Sequence, residues 1–397
     1  MVMVKDLTQL KLKDLWREVK DEEKWWDEIN GEVLSLLKLV LESSLDEEVL
    51  EEIRVNRYRR SDQRRGYRNG HYERSLCTRY GIIKTLRVPR TREGFTSTVL
   101  PRYHRRPSDV DNLVRECFLG GLSTRRVGEV LAPLCGEQIS PQTVSRIAGT
   151  LNAEVQRYHR RFLEDNYQYL LLDGIVLKVK SIVGVKKRSV LCAYGITPDG
   201  KRELISFRQR NSESEGQWES FLQDLYQRGL EGKKLRLIVT DGCPGLHKAL
   251  ETVYPFIPKQ PCWVHKLRNV ATKLPRKIQN TCLKEAKNIY QAQTKREAKD
   301  RFHHWAIHWQ YQAPKAVACL GTDMDELLSF LDCPKEHWKK IRTTNAIERA
   351  FREIRRRTRP MSCFQNSASV DRVIFGVISY LNNKWKEKPL SEFTQYT

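Results

Sequence analysis

Residues 169–179, Tyr-Leu-Leu-Leu-Asp-Gly-Ile-Val-Leu-Lys-Val, form the stretch on which the architecture depends. The run is rich in Leu and Val and has polar segments on both sides, which predicts a buried β-strand. Because strand side chains alternate between faces, Asp173 shares its face with Leu171, Ile175 and Leu177. A carboxylate in an apolar row is costly to bury unless a cation or a hydrogen-bond donor meets it. We therefore expect a positive partner for Asp173.

The Asp173-Gly174 pair is also typical of a tight turn. We favour the strand because the apolar run continues on both sides of the pair. We predict further strands at 189–196, 203–209, 235–240 and 256–263, and helices at 217–228 and 244–253. Three antiparallel-type strands followed by alternating helix and strand predict a mixed α/β sheet.

The composition points to a polyanionic partner. The chain has 397 residues, enough for two to four domains. Lys and Arg (71) outnumber Asp and Glu (49), which gives a net charge of +22, although residues 1–50 hold 7 basic and 13 acidic side chains. A chain this basic usually binds nucleic acid. The plainer alternative is a basic cytosolic protein without such a partner.

Cysteine usage and hydropathy bear on the compartment. Ten cysteines are scattered along the chain, and we find no secretory signal and no apolar run long enough to span a bilayer. Free thiols in a reducing cytoplasm fit this pattern, and we expect no membrane contact.

The N-terminal part divides into an acidic and a basic segment. Residues 1–53 have apolar side chains at helical spacing, which predicts a helical pair that packs on the body or, for dimerisation, on a second subunit. Residues 54–107 interleave Arg with Tyr, which favours a DNA-binding arm over a solvated loop. We predict turns at 68–70 and 80–81 and short strands at 82–88 and 95–100. The arginines that we expect on DNA are Arg57, Arg59, Arg60, Arg64, Arg65 and Arg68.

Residues 108–160 predict a helix-turn-helix domain. The expected helices are 109–119, 124–134 and 141–151, with Ser123 and Ser140 as N-caps. Such helix pairs also occur in many proteins that bind no DNA. Beside a basic arm, however, the pattern favours a DNA-binding role for Arg125, Thr143 and Arg146.

Two further acids are candidates for chemistry. Asp241 follows the strand at 235–240, where ligands of α/β sheets bind, although a helix-capping Asp is common there. If that strand lies beside the strand at 169–179, Asp173 and Asp241 converge, and converging carboxylates suit Mg²⁺ or Mn²⁺. Glu348 lies on a basic helix over 342–359. Its spacing from Asn345 matches a capping box equally well.

Several motifs together resemble the mutator-type transposases of bacterial insertion sequences. The likeness covers roughly residues 50–385. Its motifs are Asp173-Gly174, Thr240-Asp241-Gly242, Cys262-Trp263-Val264-His265, Arg342-Thr343-Thr344-Asn345 followed by Glu348, Tyr67-Arg68-Asn69-Gly70, Val88-Pro89-Arg90, Gly121-Leu122-Ser123-Thr124-Arg125, and Ser140-Pro141-Gln142-Thr143.

The resemblance implies an RNase H-like core at 161–265, an all-helical insertion at 266–340 and C-terminal core helices at 341–397. It also implies an Asp-Asp-Glu triad, which falls on Asp173, Asp241 and Glu348. Phosphodiester chemistry agrees with this triad, because three carboxylates suffice to hold two Mg²⁺ ions roughly 3.5–4 Å apart, with Mn²⁺ as a substitute.

The family's Cys-x-x-His element falls on Cys262 and His265 and is implied to support the core. From the residues alone, a zinc site that adds Cys243 and His247 is the less favoured alternative, since the Cys-x₃-His spacing is unusual.

The resemblance implies double-stranded DNA as the partner, both the terminal inverted repeats of an element and its target. Two ends must be handled together, so we expect a homodimer, in a bacterial cytoplasm and associated with the nucleoid. Basic and amide side chains close to the motifs are expected near DNA phosphates; they are Lys266, Arg268, Asn269, Arg342, Asn345, Arg349 and Arg352.

Two rival functions remain at this point. A DNA-binding regulator with an inert core gains nothing from an acid in an apolar row. A structure-selective nuclease would hydrolyse DNA without strand transfer and without preference for one terminal sequence.

The basic arm yields a first prediction. Replacing Arg64 and Arg65 together by Ala should weaken binding of element ends and make it less sensitive to salt, because each lost phosphate contact lowers the log–log salt slope by about 0.9. The measurement is a binding isotherm at several salt concentrations. An unchanged slope would mean that the arm faces away from DNA.

Overall fold

The computed structural model describes residues 22–78, 80–100, 108–135, 138–182, 184–361 and 363–394. The chain forms two compact units, Met1–Gly149 and Thr150–Thr397. The start of the predicted acidic helical pair, before residue 22, lies outside the described residues, as do residues 101–107 of the predicted basic arm.

In the first unit the acidic helix packs on the sheet of the basic segment. Helix α1 (Glu22–Ile53) lies against the antiparallel hairpin of β1 (Arg68–Thr78) and β2 (Gly81–Thr91). Leu45 of α1 is fully buried with Leu86 of β2 in this core. The acidic and basic segments, which the sequence suggested as separate domains, therefore share one hydrophobic core.

Two details of the basic segment differ from prediction. Residues 95–100 form no strand, because the carboxylate of Glu48 accepts the backbone N–H groups of Thr98 (2.9 Å) and Val99 (3.1 Å) that a strand neighbour would need. Residues 68–70 are not a turn but the irregular start of β1, where Gly70 has φ 68°. The predicted turn at 80–81 is present.

Three short helices complete the first unit. They are α2 (Ser108–Leu119), α3 (Thr124–Cys135) and α4 (Pro141–Gly149). Both predicted caps form: Ser123 Oγ accepts the N–H of Arg126, and Ser140 Oγ accepts the N–H of Thr143, each at 3.2 Å. The third helix ends two residues earlier than predicted, and residues 151–160, which we had placed in the helix-turn-helix domain, form α5 (Leu151–Arg160) in the second unit.

The second unit is built on a five-stranded mixed sheet. Its strands are β3 (Tyr169–Ser181), β4 (Gly184–Ile196), β5 (Arg202–Arg210), β6 (Leu237–Thr240) and β7 (Lys259–Pro261), in the spatial order β5-β4-β3-β6-β7. The first three pair antiparallel, whereas β3, β6 and β7 run parallel. The predicted mixed α/β sheet is confirmed, with a shorter last strand than expected.

The two faces of this sheet serve different purposes. Helices α6 (Glu215–Gln227) and α7 (Pro244–Val253) cover one face, where Trp218 is fully buried among apolar neighbours such as Leu170 and Leu172. Asp173 alternates with these leucines and so points to the opposite face, against which the helix carrying Glu348 packs.

Helices make up the remainder of the second unit. They are α8 (Trp263–Ala271), α9 (Arg276–Lys287), α10 (Lys295–Trp309), α11 (Pro314–Gly321), α12 (Met324–Leu327), α13 (Trp338–Ile341), α14 (Asn345–Thr358), α15 (Ser367–Lys386) and α16 (Ser391–Thr394). Gln260 ties this region to the sheet, since its buried side chain donates to Ile341 O (3.1 Å) and accepts from Phe330 N (2.7 Å). Among the described helices, none combines the length and apolar sequence that crossing a membrane requires.

Packing at Gly195 yields a second prediction. A Cβ there would lie 2.3 Å from the ring of Tyr167 and 2.6 Å from Ile205, so Gly195→Ala should lower the free energy of unfolding by about 1–3 kcal/mol. Gly216→Ala on α6 is the control, because nothing lies within 4 Å of a Cβ there. Urea titrations compare the two. Equal effects would contradict the packing described.

Candidate active site

Parallel pairing brings the candidate residues to one level. Leu172 of β3 pairs with Thr240 of β6, which in turn pairs with Pro261 of β7. The next residue on each strand is Asp173, Asp241 or Cys262. The three side chains therefore start from adjacent positions at the carboxyl ends of β6 and β7, where α/β sheets bind ligands.

Asp173 is a buried carboxylate with an unfavourable charge. Its side chain is only 7% exposed, and one oxygen accepts the N–H of Gly174 at 2.7 Å. Burial, and then the nearby charge of Asp241, raise the pKa of Asp173 to about 7. The positive partner expected from the sequence is only partly supplied by His265, whose charge lowers that pKa without restoring it. A cation would relieve this cost.

Asp241 serves in a turn and faces the same site. One oxygen accepts the N–H of Cys243 at 2.9 Å, and Gly242 takes the left-handed conformation with φ 86° that a residue without Cβ tolerates. A structural role of Asp241 in the turn is compatible with a role in the candidate site, because its charge also raises the pKa of Asp173.

Glu348 is held by His265 and Arg268 and not by a capping box. Helix α14 has Thr344 as its N-cap residue, with no side-chain cap. One oxygen of Glu348 lies 3.3 Å from His265 Nε2 and 3.5 Å from Arg268. Its charge is also among those that raise the pKa of Asp173.

Cys262 and His265 join the sheet to α14. The Cys262 thiol is buried and accepts the N–H of Thr344 at 3.2 Å. Burial alone would raise the pKa of Cys262, but hydrogen bonds from His265 and Thr344 lower it. Hydrogen bonding with Cys262 raises the pKa of His265 against the effect of burial, with help from Asp173 and Glu348. A protonated His265 therefore fits its ion pair with Glu348.

The zinc alternative does not assemble. His247 pairs with Glu251 (3.4 Å) and Glu326 (3.6 Å), while Cys243 Sγ donates to the backbone oxygen of Glu213. More generally, no three His, Cys, Asp or Glu side chains in the described parts of the chain are arranged to hold one metal ion. The charges of Asp241 and Glu348 both act on Asp173, but the Glu348 carboxylate contacts His265.

Glu213 is a fourth acid that the sequence reasoning missed. Its carboxylate lies over Gly174, where a Cβ would come within 2.6 Å of Oε1. Burial, and then the charge of Asp241, raise the pKa of Glu213, while a hydrogen bond from Ser189 opposes the shift. The signal was available, since Glu213 is an acid just after a buried strand, as Asp241 is.

The residues of the second unit that we predicted to contact DNA differ in exposure. Lys266 is buried and ion-paired with Asp323, so its charge is matched within the protein, and its phosphate contact stays a prediction. Arg342 is half-buried. The exposed members of the set are Arg268, Asn269, Asn345, Arg349 and Arg352.

Some of the DNA-facing residues proposed for the first unit contact other protein groups. Arg57 pairs with Asp46 (3.3 Å), and Arg64 lies over the Tyr67 ring. The exposed arginines of the set are Arg57, Arg59, Arg60, Arg65, Arg125 and Arg146.

Two more of this set are partly engaged. Arg68 donates to Val55 O at 3.4 Å. Thr143 Oγ1 accepts a hydrogen bond from Ser140 at the start of α4. Their assignment to DNA stays a prediction.

One carboxylate within β3 and another just after β6, beside an Arg-rich helix, are typical of enzymes that act on phosphodiesters. The family model "Transposase, Mutator family" matches residues 8–388, so the chain belongs to the Mutator family of transposases. Membership implies DNA binding and, in general terms, DNA cleavage and strand transfer.

Named relatives agree with the family. The chain is 34% identical to the transposase for insertion sequence element ISRM5 of Rhizobium meliloti, over 89% of this chain and 88% of the relative. It is 35% identical to the transposase for insertion sequence element IS256 in transposon Tn4001 of Staphylococcus aureus, over 88% of this chain and 90% of the relative.

The buried carboxylate yields a third prediction. Because the pKa of Asp173 is raised on folding, the metal-free folded protein binds a proton more tightly than the unfolded chain. The contribution of Asp173 to the free energy of unfolding should therefore fall as pH rises from about 4 to about 7. Asp173→Asn should remove this fall and stabilise the metal-free protein at pH 8 by about 2–4 kcal/mol.

The measurement is urea unfolding in EDTA at several pH values. The internal control is pH 4, where wild type and Asp173→Asn should differ little. Parallel stability profiles from pH 4 to pH 8 would show that Asp173 carries no such charge cost.

Proposed function

We propose that this protein is an Asp-Asp-Glu transposase that cuts DNA at the ends of an insertion sequence and joins the 3′-OH to target DNA. The observation that carries the proposal is the buried Asp173 beside Asp241, with Glu348 on the helix that packs over them. A DNA-binding regulator has no use for so costly a carboxylate.

The strand order supports an RNase H-like core. Three antiparallel strands, β5-β4-β3, are extended by two parallel strands, β6 and β7, on the side of β3. The first acid lies within β3 and the second just after β6. Helices from 263 to 341 separate the second acid from the third, which fits the all-helical insertion that the resemblance implies.

The donor set fits Mg²⁺. Asp173, Asp241 and Glu348 offer hard carboxylate oxygens, and Asp173 carries a charge that its protein neighbours do not neutralise. We propose that these three residues hold two Mg²⁺ ions, with Mn²⁺ as a substitute. Bound Mg²⁺ would stabilise charge on the attacking and leaving oxygens and lower the pKa of a water nucleophile.

The protein's own part is positioning. Asp173 and Asp241 are fixed by the sheet and by hydrogen bonds from Gly174 and Cys243. Glu348 must leave its contacts with His265 and Arg268 to join them. Those cations hold the carboxylate close by until then, and Arg268 becomes free to bind a phosphate.

End recognition belongs to the first unit in this proposal. Exposed arginines of the basic segment and of α3 and α4 supply the charge, and the three helices would act as the helix-turn-helix for the terminal inverted repeats. Because two ends are joined, the active form would be a homodimer or larger assembly, in the bacterial cytoplasm at the nucleoid.

The triad yields a fourth prediction. Asp173→Asn, Asp241→Asn and Glu348→Gln should each abolish Mg²⁺-dependent nicking and strand transfer while end binding stays within about twofold, since only the ion-holding oxygens change. The substrate is a duplex oligonucleotide from the DNA that flanks the gene, and the products are read on a denaturing gel.

The matched control is Glu251→Gln, an exposed acid on α7. Activity retained in any of the three triad variants removes that residue from the triad. Hydrolysis by the wild type without joining would indicate a nuclease, and binding without nicking a regulator.

A further inference from the structure

A cavity of about 910 Å³ lies in the second unit, lined by α8, α9, α14 and α15. This volume falls in the range of roughly 300–1,000 Å³ that is typical of ligand sites. Its rim is strongly basic, with Arg268, Arg349, Arg352 and Arg356, and one acid, Glu353, which pairs with Arg356 at 3.0 Å. The rim therefore suits an anion.

The inner wall has a different chemistry. The guanidinium of Arg342 lies 4.7 Å from the centre of the Tyr290 ring, and that of Arg202 lies 5.3 Å from the centre of the Trp385 ring. Buried apolar side chains such as Leu267 also line the cavity. Arginine planes and aromatic rings are the surfaces on which nucleic-acid bases stack.

A cavity with an arginine rim and an aromatic and apolar inner wall is not complementary to intact duplex DNA. A duplex presents its phosphates outward and keeps its base faces stacked inside, so it would use the rim and leave the wall empty. An unpaired nucleotide offers both a phosphate and a free base face. An acidic peptide would match the rim alone.

We infer that this cavity binds an unpaired nucleotide of the DNA substrate, with its phosphates on the arginine rim and its base against the Arg342–Tyr290 and Arg202–Trp385 pairs. The inference rests on the proposed function, which supplies DNA as the substrate. The cavity also adjoins the candidate active site, since Arg268 lines it and lies 3.5 Å from Glu348. A strand held there passes next to the carboxylates.

The test uses the full chain and two labelled single strands, oligothymidine and an abasic strand with the same number of phosphates. Fluorescence anisotropy should show that wild type binds oligothymidine about tenfold more tightly, which is the size expected for stacking of a base. The double variant Arg202→Lys with Arg342→Lys keeps both charges but loses both guanidinium planes, while the Tyr290 and Trp385 rings remain. It should bind the abasic strand with the wild-type affinity and show a smaller preference for oligothymidine than wild type does.

Rim variants separate charge from stacking. Arg349→Ala with Arg356→Ala should weaken the binding of both strands by the same factor. Arg355→Ala is the matched control, because Arg355 is exposed on the same helix but does not line the cavity. Unchanged abasic binding by the Lys double variant also shows that it is folded.

Three results would overturn the inference. They are equal binding of the two strands by wild type, a base preference that Arg202→Lys with Arg342→Lys leaves unchanged, and rim variants that weaken the binding of duplex DNA but not of single strands. Nicking of the end-bearing duplex by wild type is measured alongside. Intact nicking without a base preference removes the cavity assignment alone, whereas absent nicking removes the proposed function.

Discussion

Parallel pairing of β3 with β6 is the constraint on which the rest of the second unit depends. It sets Leu172 beside Thr240 and so brings Asp173 and Asp241, far apart in sequence, to the same level. Extension of the same pairing to β7 places Cys262 there too. A slip of one residue would turn Asp173 toward the apolar face under α6 and α7, so core packing and site geometry are fixed by the same register.

The close approach of Asp173 and Asp241 lowers the stability of the folded protein. Asp173 is buried beside Asp241, and both effects raise its pKa. The surrounding fold tolerates this because the strands are held elsewhere by a large apolar core. Cys262 binds the start of α14 through Thr344, and this contact places Glu348 one turn further along the helix.

Helix α14 has an apolar side that packs on the sheet and a basic side that lines the cavity. Its inner side buries Ile347, Phe351 and Ile354, which fix its position on the sheet. Its outer side carries arginines that line the adjoining cavity, and Glu348 lies between the two sides. The proposed catalytic acid and the arginines proposed to bind phosphate are thus carried by one rigid element, so their spacing does not depend on a loop.

The sequence alone determined the strands and the mixed sheet, because alternation around Asp173 and the turn at Asp241 are local signals. It could not decide whether Glu348 caps its helix, since spacing is the same in both cases; only tertiary contacts with His265 settled that. It also missed Glu213 and misassigned the strand at 95–100. Each of these depends on a partner distant in sequence, and side-chain pairing across such distances is set by the fold.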